Sequence, residues 1–114
     1  MEQNFRKIAL VVHIDTVAET LGFTEKFSDP CYFSVMDRFL EIAEKGKFKL
    51  SLYPIGRELE DPRKFQQLQQ WNSLGHEIGN HSYSHHVDLS CFNEEECYKE
   101  VNRAHQLIEA ACNK

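Results

Sequence analysis

The chain has 114 residues, with 18 acidic and 13 basic side chains and a formal net charge of −5. That length is sufficient for one small domain with a hydrophobic core. The acidic balance and the lack of a Lys/Arg cluster argue against nucleic-acid binding, which usually requires a basic surface.

The first predicted element is a strand over residues 8–12, a short apolar run typical of a strand buried on both faces of a sheet. This run is too short for the apolar core of a signal peptide or for a membrane span, and the residues before it are polar and charged. We therefore expect a cytoplasmic protein without a membrane span. Residues 13–30 are expected to be irregular, with breakers at Gly22 and at Asp29 and Pro30.

Residues 32–45 have apolar side chains at a helical period, which predicts a first helix that ends at Gly46. The side chains expected on its inner face are Val35, Met36, Phe39, Leu40, Ile42 and Ala43. A second strand is predicted over residues 48–52, because Phe48, Leu50 and Leu52 alternate there with polar residues.

Asp61 and Pro62 predict the start of a second helix, since aspartate caps helix amino termini and proline fits the first helical position. Gly75 is expected to end it. The inner face of this helix is predicted to consist of Phe65, Leu68, Trp71 and Leu74. A short third strand is predicted over residues 77–80, directly before a histidine-rich segment.

Asn93 and Glu96 have the spacing of a capping box, which predicts the start of a last helix. Its buried side chains are expected to be Cys97, Val101, Ala104, Ile108 and Ala111. The four cysteines form no CxxC pair, so neither a zinc knuckle nor a redox dithiol is indicated. Cys97 is expected to be a reduced thiol in the core.

The alternation of strand and helix, three times over, predicts an α/β fold with a parallel sheet. In such sheets, functional groups gather at the carboxyl ends of the strands. His13 and Asp15 follow the first predicted strand, and His81 and His85 follow the third. Two imidazoles four residues apart can bind one metal ion but need a third ligand, and Asp15 is the residue that this topology brings to them.

Residues 75–85 read G-H-E-I-G-N-H-S-Y-S-H. This segment resembles the second motif of the NodB-type polysaccharide deacetylases (carbohydrate esterase family 4), in which G-H-E-[IV]-x-[NS]-H runs into H-[ST]-x-x-H. The resemblance implies a partial (β/α) barrel, similar to a TIM barrel. It extends over about the whole chain but only over the amino-terminal part of the family's domain, so residues 1–114 are expected to form a single, incomplete domain of this type.

The resemblance also implies a metal-dependent hydrolase that removes N-acetyl groups from a polysaccharide or amino sugar. The residues implied as ligands of its one divalent ion, zinc in many members, are Asp15, His81 and His85. A carboxylate and two imidazoles leave coordination positions open for water and for a substrate oxygen.

The family's first motif carries two carboxylates, whereas residues 12–16 here read V-H-I-D-T. If Asp15 is the metal ligand, His13 occupies the position of the catalytic base. If Asp15 is the base, Thr16 or Val17 replaces the metal-binding carboxylate, and Glu19 is the nearest acidic residue.

The family's later motifs supply an arginine, aromatic groove residues and a histidine that acts as general acid, and His105 does not match that histidine in context. The alternative prediction is therefore a catalytically incomplete metal-binding or structural fragment. A third is a hydrolase of a small non-carbohydrate amide. We expect the sheet edge and the last helix to be covered by a second copy of the chain, in a homo-oligomer, or by a missing carboxy-terminal segment.

Overall fold

The computed structural model of the chain describes residues 7–16 and 31–113. The elements are β1 (Val11–Ile14), α1 (Met36–Gly46), β2 (Ser51–Pro54), α2 (Pro62–Ser73), β3 (Glu77–Ile78) and α3 (Glu94–Cys112). The three strands form one sheet in the order β1-β2-β3, and both strand pairs are parallel. The predicted alternation and the parallel sheet are confirmed. The predicted positions that lie outside the described residues are Val17, Glu19, Gly22, Asp29 and Pro30.

β1 and β2 each begin three residues later than predicted, β3 begins at Glu77 as predicted but ends at Ile78, and β1 is not buried on both faces. The backbone N–H of Ser51 donates to the carbonyl of Leu10, and β2 begins at Ser51 rather than at residue 48. Val11 is 51% exposed, and only Ile14 is buried within β1. In the part of the chain that the structure describes, β1 pairs with β2 alone, so its other edge packs against no strand.

Helix α1 ends at Gly46, as predicted, and the left-handed backbone conformation is adopted by the next residue, Lys47. Lys47 has φ = 57°, and its N–H donates to the carbonyl of Glu44 while the N–H of Phe48 donates to that of Ala43. These two hydrogen bonds form a Schellman ending. A five-residue π-helical turn, Cys31–Val35, precedes the helix.

The inner face of α1 is narrower than predicted. Met36 and Ala43 are buried, whereas Val35, Phe39 and Ile42 are exposed, so their predicted burial is wrong. Phe39 and Ile42 line an apolar groove of about 230 Å³ along β1 instead of packing into the core. The helix therefore contacts the core through a few side chains and leaves an apolar strip along the edge of the sheet.

Helix α2 is capped as predicted. The carboxylate of Asp61 accepts a hydrogen bond of 2.9 Å from the N–H of Arg63, and Gly75 follows the helix with φ = 88°. Leu68 and Trp71 are fully buried. The predicted burial of Leu74 is wrong, because the helix ends at Ser73 and the next side chain turns into solvent.

Helix α3 has both hydrogen bonds of the predicted capping box, each 2.9 Å long, between Asn93 and Glu96. Ala104 and Ala111 are buried, but Val101 is exposed, contrary to the prediction. The thiols of Cys91 and Cys97 form no disulfide, and Cys97 is half-buried. No described helix is long and apolar enough to cross a membrane.

The core lies between the sheet and the helices. Its buried members are Ile14, Tyr32, Met36, Ala43, Leu50, Leu52, Leu59, Leu68, Trp71 and Ala111. The described strands form an open sheet, consistent with a portion of an α/β barrel.

Candidate metal centre

Residues that follow β1 and β3 meet at the carboxyl end of the sheet, as predicted. The Nε2 atom of His81 lies 2.8 Å from Oδ1 of Asp15, and the Nε2 atom of His85 lies 3.6 Å from the same oxygen. The two imidazole rings have centroids 4.7 Å apart. Oδ1 of Asp15 thus lies within hydrogen-bond distance of His81 and within ion-pair distance of His85.

His13 lies beside this group. Its ring centroid is 4.7 Å from that of His81, and one ligand atom from each of His13, Asp15 and His81 lies within 4.8 Å of the others. On β2, Tyr53 is the register partner of His13, and the centroids of the two rings are 5.7 Å apart. Because residues two apart on a strand point to the same face, His13 and Asp15 both reach the site. The structure thus brings all four predicted site residues together.

The distances from Asp15 to the two histidines suit a small divalent ion. Metal–ligand bonds of about 2.0–2.1 Å in a tetrahedral arrangement place ligand atoms about 3.3 Å apart. The distances of 2.8 and 3.6 Å from Asp15 to His81 and His85 bracket that value. Asp15 is 38% exposed, and His81 and His85 are 19% and 29% exposed, so water and a substrate can reach them. Among the described residues, the group whose ligand atoms all lie within 4.8 Å of one another is His13, Asp15 and His81, and His85 reaches Asp15 from outside that group.

The loop that carries the two histidines has an unusual backbone. Ser82 and His85 have φ values of 58° and 52°, a left-handed conformation that L-residues rarely adopt and that costs about 1–3 kcal/mol each. The N–H of His85 donates to Oγ of Ser82, and the N–H of Ser82 donates to Oδ1 of Asn80. These local hydrogen bonds hold the loop in a shape that aims both imidazoles at Asp15.

The turn after β2 supports the other side of the loop. The N–H groups of Gly56 and Arg57 donate to the carbonyls of Ser82 and Tyr83, both at 2.8 Å. A Cβ atom on Gly56 would lie 2.8 Å from Cβ of Ala104 and 3.1 Å from Cα of Tyr83. Only glycine fits this close approach.

Helix α3 contacts the loop through polar groups. Oε2 of Glu100 accepts hydrogen bonds from the N–H and the hydroxyl of Ser84, at 3.0 and 2.8 Å. The side-chain amide of Asn80 donates to the carbonyl of Val101 at 2.9 Å. The sequence alone did not indicate Glu100, because a glutamate on an amphipathic helix has no local signature of such a role.

Tyr83 is also fixed from α3. Its hydroxyl donates to Oε1 of Glu60 at 2.8 Å, and the guanidinium of Arg103, 3.8 Å from the ring centroid, donates to the same oxygen at 2.7 Å. The hydrogen bond from Tyr83 is the largest of the effects that hold the pKa of Glu60 below its ordinary value. Burial, followed by the hydrogen bond to Glu60, raises the pKa of Tyr83.

Thr16 follows Asp15 in the chain and is fully buried. Its hydroxyl donates to Oε1 of Glu58 at 2.8 Å, and the other oxygen of Glu58 forms a buried ion pair with Lys64. The hydroxyl of Thr16 is thus engaged in the interior. This arrangement favours Asp15, rather than Thr16, as the oxygen ligand.

Two of the three remaining histidines, His76 and His86, also have partners outside the candidate site. His76 is buried, and its Nδ1 accepts the N–H of Leu50 at 3.0 Å. Burial, and then the charge of Lys49, lowers the pKa of His76. His86 is exposed, with Nδ1 2.5 Å from Oδ1 of Asp88. These contacts leave neither side chain directed at the metal site.

A family model described as polysaccharide deacetylase matches residues 27–114. The match includes His81 and His85 and begins after His13 and Asp15. No curated protein matches the chain.

Proposed function

The chain belongs to the polysaccharide deacetylase family, and from this we propose that it is a metal-dependent hydrolase that removes N-acetyl groups from a polysaccharide or amino sugar. The observation that carries the proposal is the convergence of His81 and His85 on Oδ1 of Asp15, at 2.8 and 3.6 Å. Family membership supports an acetylated carbohydrate as the class of substrate.

Asp15, His81 and His85 are the proposed ligands of one divalent ion. Zinc is the first candidate, because it favours imidazole and carboxylate donors and keeps a position open in catalytic sites. When bound, such an ion would polarise the acetamide carbonyl and acidify a water molecule. The three side chains would hold the ion at the exposed rim of the sheet.

His13 is the proposed base. A neutral imidazole accepts a proton near neutral pH, and His13 is exposed beside the ring of His81. It would take a proton from the attacking water, and the imidazolium formed could protonate the departing amine. Tyr53, in contact with His13 across the strand pair, would limit the rotation of the imidazole.

The test compares His81→Ala with His105→Ala, a substitution of an exposed histidine that pairs with Glu109 on α3. Each protein is loaded with Zn²⁺, dialysed and analysed for metal by mass spectrometry, and acetate release from N-acetylglucosamine oligomers is measured. We expect about one ion per chain in the wild type and in His105→Ala, and a loss of metal and of acetate release in His81→Ala. Equal metal content in the two variants would refute the ligand assignment.

A catalytically incomplete metal-binding protein is the second candidate. It is favoured by one observation: residues 12–16 contain one carboxylate, that of Asp15, where the family's first motif carries two. Stoichiometric Zn²⁺ binding without acetate release from any acetylated oligosaccharide would support this candidate over the enzyme.

A further inference from the structure

Each proposed histidine ligand is directly preceded by a residue that is hydrogen-bonded to helix α3. Asn80, before His81, donates to the carbonyl of Val101. Ser84, before His85, donates to Glu100 through both its N–H and its hydroxyl. The helix therefore contacts the loop at two residues that are four positions apart, as the two histidines are.

The contact between Ser84 and Glu100 is the stronger of these two attachments. Both hydrogen bonds end on one carboxylate oxygen of a half-buried side chain, and hydrogen bonds to a charged acceptor are roughly twice as strong as neutral ones. The residue held in this way precedes His85, whose left-handed backbone is unfavourable without support. Loss of the carboxylate would let the loop relax away from that conformation.

We propose that Glu100 is a positioning residue for the metal centre, and that the docking of α3 and the binding of the metal are coupled. This inference rests on the proposed function, because it takes His81 and His85 as ligands. Coupling is reciprocal: if a docked α3 raises metal affinity, a bound metal must stabilise the docked helix by the same free energy. Groups that orient metal ligands typically contribute 10–100-fold to affinity, and for this indirect contact we expect about tenfold.

The test pairs Glu100→Ala with Glu95→Ala, the same substitution on the same helix. Glu95 lies in the first turn of the helix, is 74% exposed and forms an ion pair with Lys99 one turn later. Zn²⁺ affinity is measured by competition with a chromophoric chelator, and the free energy of unfolding is measured in the presence of EDTA. We expect Glu100→Ala to bind Zn²⁺ about tenfold more weakly than the wild type, and Glu95→Ala to bind as the wild type does.

Two further variants separate positioning from general destabilisation. Glu100→Gln keeps an oxygen that can accept from Ser84, so most of the affinity should return. Ser84→Ala loses one of the two hydrogen bonds, and it should weaken binding in the wild-type background but cause no further loss in Glu100→Ala. If Glu100 only stabilised the fold, the loss of Zn²⁺ affinity in each variant would scale with its loss of unfolding free energy.

Hydrogen exchange measures the reciprocal effect, which is the stabilisation of the docked helix α3 by the bound metal. Zn²⁺ should slow amide exchange in residues 97–104 of the wild type and of Glu95→Ala, and this slowing should be reduced in Glu100→Ala. The positioning role is overturned if the wild type binds Zn²⁺ while Glu100→Ala and Glu95→Ala have equal affinities. A wild type that binds no Zn²⁺ overturns the metal centre itself, which is a distinguishable result.

Discussion

The Nε2 atom of His81 lies 2.8 Å from Oδ1 of Asp15, although 66 positions separate the two residues in the chain. The contact follows from the sheet, because β1 and β3 run parallel on either side of β2 and end at the same rim. Oδ1 of Asp15 therefore lies near both histidines of the loop, 2.8 Å from Nε2 of His81 and 3.6 Å from Nε2 of His85.

His13 and His85 are expected to differ in role. His85→Ala should weaken Zn²⁺ binding by at least about tenfold, since it removes a ligand. His13→Ala should retain the metal and slow acetate release by about 100-fold, as expected for the loss of a general base. Equilibrium dialysis and the acetate assay measure the two effects. The reverse pattern, with metal lost in His13→Ala and kept in His85→Ala, would assign His13, Asp15 and His81 as the ligand set.

Glu58→Ala is expected to destabilise the protein by about 3 kcal/mol, because it leaves the charge of Lys64 without its carboxylate in the interior. The hydroxyl of Thr16 would lose its acceptor as well. Urea unfolding in EDTA measures the change. The control is Glu41→Ala, which removes an exposed ion pair with Lys45 and should cost less than about 1 kcal/mol. Equal losses in the two variants would show that the Glu58 ion pair adds nothing.

His76 should make the metal-free protein less stable in weak acid. Its pKa is below the ordinary value of 6.5 in the folded state, so its contribution is complete above about pH 6.5 and is lost as the pH falls through the folded value. His76→Asn keeps an acceptor for the N–H of Leu50 but does not titrate. Unfolding free energies between pH 8 and pH 5 should therefore decline less in the variant. Parallel curves for the two proteins would exclude this role.

Gly79→Ala is expected to displace the ring of Tyr53. A Cβ atom on Gly79 would overlap that ring, and the N–H of Gly79 is held by the carbonyl of Leu52, so the backbone cannot move away freely. The cost should be about 1–3 kcal/mol. In a Tyr53→Ala background the same substitution should cost almost nothing, and unfolding of the four proteins of the cycle measures the difference. Additive costs would contradict the contact.

Lys47→Gly should stabilise the protein by about 0.5–1 kcal/mol, because it removes the strain of a left-handed L-residue at the end of α1. Lys45→Gly, two residues earlier and within the helix, should destabilise it by about 1 kcal/mol. Thermal unfolding of both variants checks the opposite signs. A destabilised Lys47→Gly would mean that the lysine side chain makes a compensating contribution.

Local signals predicted the starts of α2 and α3 and the order of elements correctly, whereas α1 begins at Met36 rather than at residue 32. The caps at Asp61 and Asn93 depend on hydrogen bonds within a few residues, so the sequence contains all that they need. Burial was harder to predict: Phe39, Leu74 and Val101 have apolar side chains at helical spacing but are exposed. Whether such a side chain is covered depends on which distant element packs against it, and spacing does not carry that information.

The candidate site was likewise predictable only in part from the sequence. The convergence of His13, Asp15 and His81 was predicted from the topology of a parallel sheet, and the structure brings these residues together. Glu100 and Arg103 were not predicted, because their role depends on the path of α3 beside the loop. The ligand assignment and the cytoplasmic location stay predictions.

Gly56 lies where the turn after β2, the histidine loop and α3 approach one another most closely. Ala104 on one side and Tyr83 on the other leave no volume for a side chain. A designer who transplanted residues 80–85 onto another parallel sheet would therefore have to carry the glycine and the alanine with them. The smallest portable unit of this site is the loop together with two residues whose side chains must stay small, one of which also donates its N–H to the loop.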